Sequence, residues 1–325
     1  MNVKAFSFNY NYTNSGGRDW RITRREFLKS SIGVLAGLTA LPLSCTPEAR
    51  SGAKRYPARF GIITDCHYAD TEPVGTRFYR ESLNKLSEGV ALMNTEKVDF
   101  LIELGDFKDQ DKPPVEQKTI SYLRAVEKVF QDFNGPTYHV LGNHDLDSIS
   151  KGQFLAGVEN TGIDPRRSYY SFDVKALRYV VLDANFKADG KDYDHGNFDW
   201  TDANIPPEEL AWLERDLSQA PGHVIVFIHQ LLDGVGSVYA KNGADVRQIL
   251  QASGKVLAVF QGHHHTGAYS NMEGIHYYTL KALVEGSGPE NNSYAIVEVQ
   301  RDGDITITGY RRAESRLLKD KLYVV

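Results

Sequence analysis

The chain has 325 residues, 41% of them hydrophobic and 24% charged, the balance of a soluble globular protein with a sizeable core. Its 37 Lys and Arg against 42 Asp and Glu leave a net charge of −5, and because residues 1–45 hold six of the basic and two of the acidic side chains, the charge without them is −9. That balance excludes a binder of long nucleic acid, whose affinity comes from neutralising phosphates with Lys and Arg, and leaves room for a small phosphorylated substrate.

Residues 1–45 read as an export signal. Thr23-Arg24-Arg25-Glu26-Phe27-Leu28-Lys29 resembles the twin-arginine export consensus, and the nearly uncharged run 30–43 is too short to cross a hydrocarbon core of ~30 Å as a helix. The expectation is passage through the twin-arginine machinery, which carries folded cargo, to the periplasm or the cell envelope. Cys45 follows Pro42-Leu43-Ser44, which resembles a loose lipoprotein cleavage box with proline where leucine is usual, so membrane anchoring through a lipidated Cys45 stays open. The other cysteine is Cys66, so acylation or removal of Cys45 leaves no intramolecular disulfide. Residues 46–57 read as a flexible spacer and 58–325 as one domain without internal repeats.

Within that domain, short apolar runs alternate with amphipathic ones. In chain order the spacing predicts a strand at 60–64, a helix at 76–94, a strand at 98–104, a helix at 114–133 and strands at 138–141 and 179–183. A helix at 207–218, a strand at 224–228, a helix at 243–253 and a strand at 256–261 follow. Pro114 and Pro207 stand at helix starts, where a missing backbone N–H costs nothing. The tail changes period, with short strands at 277–280, 294–299 and 304–308 and a hairpin around Arg301-Asp302-Gly303. The class implied is α/β, a mixed sheet with an antiparallel C-terminal section.

Chemistry-bearing residues follow the strands. Asp65-Cys66-His67 comes after the first, Gly105-Asp106 after the second, Gly142-Asn143-His144-Asp145 after the third, His229 after Ile228, and Gly262-His263-His264-His265 after Gln261. In open α/β sheets, ligands collect at the carboxyl ends of strands, so these loops are expected on one face. Imidazole, carboxylate and amide oxygen together suit Mn, Fe, Zn or Co better than an all-oxygen Ca site or an all-thiolate Zn site. Along an extended chain alternate residues share a side, which would aim Asp65 with His67, and His263 with His265, at a common centre and turn Cys66 and His264 away. Glycines 105, 142 and 262 permit tight turns or close backbone approach.

These motifs, in this order, resemble the calcineurin-like metallophosphoesterase superfamily over about residues 58 to 312. The resemblance implies a four-layer α/β/β/α sandwich with mixed sheets and two divalent or mixed-valence metal ions (Mn, Fe or Zn). One ion would take Asp65, His67 and His265, the other Asn143, His229 and His263, with Asp106 bridging. His144 would give a proton to the leaving group, oriented by Asp145, and a metal-bridging hydroxide would attack phosphorus. Tyr68-Ala69-Asp70, the run from Arg77 to Leu83, that from Tyr179 to Asp183, and Gly267-Ala268-Tyr269-Ser270 are similar to the manganese-dependent ADP-ribose/CDP-alcohol diphosphatase branch. The chain departs from that branch in carrying His67 in place of glutamine and Asp145 in place of glutamate.

The activity so implied is hydrolysis of a phosphodiester or diphosphate of nucleotide type. A phosphomonoesterase and an inactive surface-binding lipoprotein of the same fold are the alternatives. Arg77 and Arg80 are candidate substrate-binding residues, as a phosphate clamp, against the simpler reading of a solvated helix face. His139, His223 and His276 read as packed or exposed, and His195 stands in a loop that could overhang the site. Neither G-x-G-x-x-G nor C-x-x-C is present, which speaks against a redox protein. The sequence leaves the oligomeric state open.

Overall fold

Alternation along the strands decides the layers. The computed structural model describes residues 58–319, so the export signal, the spacer and Cys45 lie outside the described residues. In chain order the elements are β1 (Ala58–Ile63), α1 (Ser82–Glu96), β2 (Phe100–Glu103), α2 (Glu116–Phe130), β3 (Thr137–His139), α3 (Lys151–Leu155), β4 (Tyr170–Val174) and β5 (Leu177–Val181). There follow α4 (Pro207–Gln219), β6 (Val224–Ile228), α5 (Gly243–Ser253), β7 (Val256–Gln261), β8 (Ala268–Met272), β9 (Ile275–Thr279), β10 (Ser293–Val299), β11 (Ile305–Arg311) and β12 (Arg316–Leu318).

Two six-stranded sheets result, ordered β12-β11-β10-β1-β2-β3 and β4-β5-β6-β7-β9-β8. β1, β2 and β3 run parallel while β10, β11 and β12 are antiparallel additions; β5, β6, β7 and β9 run parallel between antiparallel edges β4 and β8. Phe60, Ile62, Phe100 and Ile102 of the first sheet pack on Tyr179, Val181, Ile225, Phe227, Ala258 and Phe260 of the second. The intervening residues Ile63 and Leu101 face the layer of α1 and α2, and Val224, Val226, Ile228 and Val259 face that of α4 and α5. A period of two thus sorts each buried strand between two apolar layers, which makes the four-layer α/β/β/α sandwich.

Differences from the sequence expectations are local. The helix expected from residue 76 starts at Ser82, because Arg77 pairs its backbone with Val74 and Glu285 and Phe78 N–H donates to Val284 O, both incompatible with a helical turn. The helix expected over 114–133 is α2, shortened to Glu116–Phe130 by an extended Val115 (φ −132°). Strands β4, β8 and β12 and helix α3 are additions. β8 (AYSNM) is polar and half-exposed, so it lacks the apolar run by which a strand is read, and it is held by its ladder to β9.

Candidate metal centre

The site's expected ligands come one to four residues after the ends of β1, β2, β3, β6 and β7. Beyond β1, Asp65 and His67 take left-handed backbone angles (φ 51° and 45°), as do Asp106 beyond β2 (56°) and His263 beyond β7 (65°). Such conformations cost about 1–3 kcal/mol each for residues with a Cβ and persist where the surroundings hold them. Here Asp65 N–H donates to Gly105 O (3.0 Å) and His67 N–H to Asp106 O (2.8 Å). This corrects the expectation of extended D-x-H and H-x-H segments: the side chains converge through left-handed turns and not through strand alternation. Glycine is required beside them. A Cβ on Gly142 would lie 2.2 Å from Asp106 N and 2.3 Å from its Oδ1, and one on Gly262 2.2 Å from Thr64 Oγ1.

The turns bring six of the seven expected ligands together, and the seventh, Asn143, directly precedes His144, whose N–H donates to Asp106. Ligand atoms of Asp65, His67 and His265 lie within 4.8 Å of one another, as do those of Asp106, His229 and His263. Asp106 Oδ2 stands 3.1 Å from His229 Nε2 and 3.5 Å from His67 Nε2, between the two clusters, while its Oδ1 accepts from His144 N–H at 2.8 Å. His67 Nε2 faces His265 Nε2 at 3.2 Å, and His229 Nε2 faces His263 Nδ1 at 3.1 Å. Two imidazole lone pairs repel at such distances unless a proton or a cation lies between them. Asp65 Oδ1, Asn143 Oδ1 and His263 Nε2 are buried without a hydrogen-bond partner. Buried, unsatisfied acceptors next to opposed imidazoles are what bound cations would satisfy, and nitrogen with carboxylate and amide oxygen fits Mn, Fe or Zn.

Electrostatics carry the same mark. Burial opposes the charge on Asp65 and Asp106, yet neighbouring histidines, His265 and His67 at the first and His229 and His144 at the second, hold both carboxyls well below the usual range. Burial likewise opposes protonated imidazoles, but Asp106 lifts His229 to about 9, Asp65 and Glu285 lift His265 to about 9, and Asp106 and Asp147 lift His144 to about 10. His263 goes the other way, to about 3, through burial and the charge of His229.

Second partners orient these rings, and sequence reasoning missed them. His67 Nδ1 meets Asp109 Oδ2 at 3.1 Å, His265 Nδ1 meets Glu285 Oε1 at 2.6 Å, and His229 Nδ1 donates to Leu104 O at 2.8 Å. His144 Nδ1 meets Asp147 Oδ2 at 2.6 Å, which corrects the expected partner. Asp145 instead accepts backbone N–H from Gly142, Phe107, Asp106 and Lys108 (2.8–3.3 Å), tying the Asn143 loop to the Asp106 loop; burial and the Asp106 charge lift its carboxyl to about 6. Residues 144–146 form a 3-10 turn, in which side chains three apart eclipse, so it is Asp147 and not the adjacent Asp145 that meets the His144 ring.

Arg80 is exposed and its guanidinium is committed to Asp70 (2.5 Å) and Glu72 (2.6 Å), contrary to a phosphate clamp, while Arg77 is half-buried and pairs its backbone with that of Glu285, the residue whose side chain meets His265. Cys66 is fully buried in the apolar layer under α1, and His264 bonds Thr266 at 2.8 Å, so both stay out of the cluster as expected. His195 is exposed and bonded to Asp194. An unexpected neighbour is Trp200, 43% exposed, its ring centroid 5.6 Å from that of His263.

Known proteins resemble this chain in sequence and fold. The chain is 29% identical over 303 residues to a manganese-dependent ADP-ribose/CDP-alcohol diphosphatase of Oryza sativa subsp. japonica, spanning 79% of this chain and 93% of that protein. It is 24% identical over 332 residues to the protein of that name from Homo sapiens, spanning 85% and 96%. A dimetal phosphatase from Danio rerio superposes with a TM-score of 0.71 at 21% identity, covering 82% of this chain and all of that one, a likeness of fold. The profile of the calcineurin-like phosphoesterases matches residues 58–267, the stretch that supplies every donor gathered at the strand ends, and the chain belongs to that family.

Proposed function

We propose that this metal-dependent phosphoester hydrolase cleaves a phosphodiester or diphosphate bond of nucleotide type using two cations, manganese, iron or zinc. Asp65, His67 and His265 would hold one, Asn143, His229 and His263 the other, and Asp106 would be shared. The observation that carries the reading is the pair of opposed imidazole contacts, 3.2 and 3.1 Å, on either side of Asp106. Bound there, divalent cations lower the pKa of water towards neutrality and offset charge gathering on phosphorus oxygens. The chain's own residues do the rest. His144 Nδ1–H donates to Asp147, so the proton available for a departing oxygen is the one on Nε2. Asp145 keeps the Asn143 and Asp106 loops in register.

The nucleotide preference is supported by the diphosphatases named above and by Trp200, a flat apolar surface at the edge of the cluster on which a base can stack. A panel of p-nitrophenyl phosphate, bis-p-nitrophenyl phosphate, cyclic AMP, ADP-ribose and CDP-choline, each with Mn, Zn and Fe, tests it. The expected result is highest kcat/KM on the nucleotide diphosphates with metal content near two ions per chain. Preference for the monoester would make the protein a phosphomonoesterase of this fold, and no turnover with any metal would favour the inactive binding protein.

Delivery to the periplasm or the envelope is part of this proposal and rests on the segment from Thr23 to Lys29. Replacing Arg24 and Arg25 together by lysine should hold the precursor in the cytoplasm; unchanged delivery would refute the export reading. Acyl chains on Cys45, sought by mass spectrometry, decide between a tethered and a released product.

A further inference from the structure

The two clusters are built unequally. In the first, both imidazoles are backed by carboxylates, His67 by Asp109 at 3.1 Å and His265 by Glu285 at 2.6 Å, and Asp65 supplies a further negative charge. In the second, His229 is backed by the neutral carbonyl of Leu104 at 2.8 Å, the Nε2 of His263 has no partner, and Asn143 offers a neutral amide. Asp145, whose charge His229 also feels, is taken up by four backbone N–H groups. Asp106 Oδ2 lies nearer His229 Nε2 (3.1 Å) than His67 Nε2 (3.5 Å), so its charge serves the second cluster at least as much and is not what sets the first apart.

The backing carboxylates are themselves held. Lys85, buried in α1, donates its Nζ to the carbonyls of Leu283 (3.1 Å), Glu285 (3.2 Å) and Gly286 (2.5 Å), and Arg312 Nη1 adds a bond to Glu285 O (3.2 Å). Asp109 N–H donates to Tyr68 O at 2.9 Å, while Gln110 N–H occupies Asp109 Oδ1 and leaves Oδ2 for His67. A carboxylate behind an imidazole fixes the tautomer that presents Nε2 and makes that nitrogen a better donor, and losing one such partner costs about 10–100-fold in metal affinity.

We propose that Asp109 and Glu285 are positioning residues that make the Asp65–His67–His265 position the tighter of the two, filled first and emptied last, with the Asn143–His229–His263 position exchangeable. The proposal rests on the two-ion reading above. Its test is titration of the metal-free full-length chain with Mn(II), free ion followed by electron paramagnetic resonance and bound ion by elemental analysis. Two equivalents should bind, the first at least about tenfold tighter. His229→Ala should keep the tight equivalent and His265→Ala should lose it. Glu285→Gln and Asp109→Asn, which retain an acceptor for Nδ1–H and remove the charge, should each weaken the first equivalent about 10–100-fold. Their melting temperatures in EDTA report folding separately from affinity, and the two variants sit on different segments, so the loss of one to misfolding leaves the other.

Equal affinities overturn the proposal and leave two ions standing. So does a tight equivalent that survives His265→Ala and vanishes in His229→Ala, or one indifferent to both carboxylate variants. Binding of one ion or none by the parent chain overturns the two-ion reading itself.

Discussion

Asp106 is the residue on which both clusters lean, through its Oδ2 to His67 and His229 and its Oδ1 to the backbone of His144. Asp106→Asn should therefore lower metal content, read by elemental analysis, and abolish turnover, whereas full activity with two ions bound would refute the shared role. In the proposed reading His144 protonates the leaving group, and a general acid matters in proportion to how badly that oxygen needs a proton. His144→Ala should lose about 10²–10⁴-fold in kcat on a nucleotide or alkyl ester, far less on a p-nitrophenyl ester whose anion departs unaided, and keep its metals. Asp147→Asn should reproduce the same leaving-group dependence in weaker form, because it holds the His144 ring at 2.6 Å. Equal losses on both esters would make His144 a positioning group. For Trp200→Ala, KM should rise by about 5–100-fold on a nucleotide diphosphate and hardly at all on an alkyl diphosphate lacking a base, since stacking on one aromatic is worth about 1–3 kcal/mol. No change on either would remove Trp200 from the substrate surface.

At the scale of elements, one contact joins helix α2 to the end of β3. Glu127 Oε2 lies 2.9 Å from His139 Nε2, and Glu127 Oε1 accepts from Gln131 Nε2 (2.7 Å) and Glu159 N–H (3.0 Å). Burial works against this carboxylate, but His139, Gln131 and the Glu159 amide outweigh it and hold the Glu127 pKa below the usual glutamate value. A depressed folded pKa means stability that is fully present above the unfolded value of about 4.3 and lost as pH falls through the folded one. Metal-free Glu127→Gln should accordingly be less stable than the parent at pH 7, with the gap narrowing below about pH 4 in urea denaturation. A gap that stayed constant would mean the contribution is packing alone. The sequence showed α2 and β3 as elements. It did not show this pairing, since neither apolar periodicity nor a motif marks Glu127 or His139.

For the molecule as a whole, Phe60 sits where the two sheets meet. Its ring stacks on Phe100 at 4.9 Å and meets Tyr179, Phe227 and Phe260 of the other sheet edge-on at 5.5, 5.6 and 5.8 Å, with no exposed surface. Phe60→Ala should lower the unfolding free energy by about 3–5 kcal/mol in chemical denaturation, and a loss under 1 kcal/mol would mean that the inter-sheet core does not depend on it. The α/β class, the strand ends as the site's address and the identity of the clustered donors were legible from the chain, because apolar period and strand-terminal D-x-H, G-D, G-N-H-D and G-H-x-H are local patterns; the layer order came only with the family resemblance those motifs carry. Tertiary structure decided the rest. Left-handed turns at Asp65, His67, Asp106 and His263 aim the donors, and only contacts between distant loops hold residues with side chains in that conformation. Asp109 reaches His67 across 42 residues, Glu285 reaches His265 across 20, and Arg80 is drawn away by Asp70 and Glu72. A motif records what a residue can bind; which partner it meets depends on where other segments pass, and that is set by the packing of the two sheets and not by any spacing along the chain.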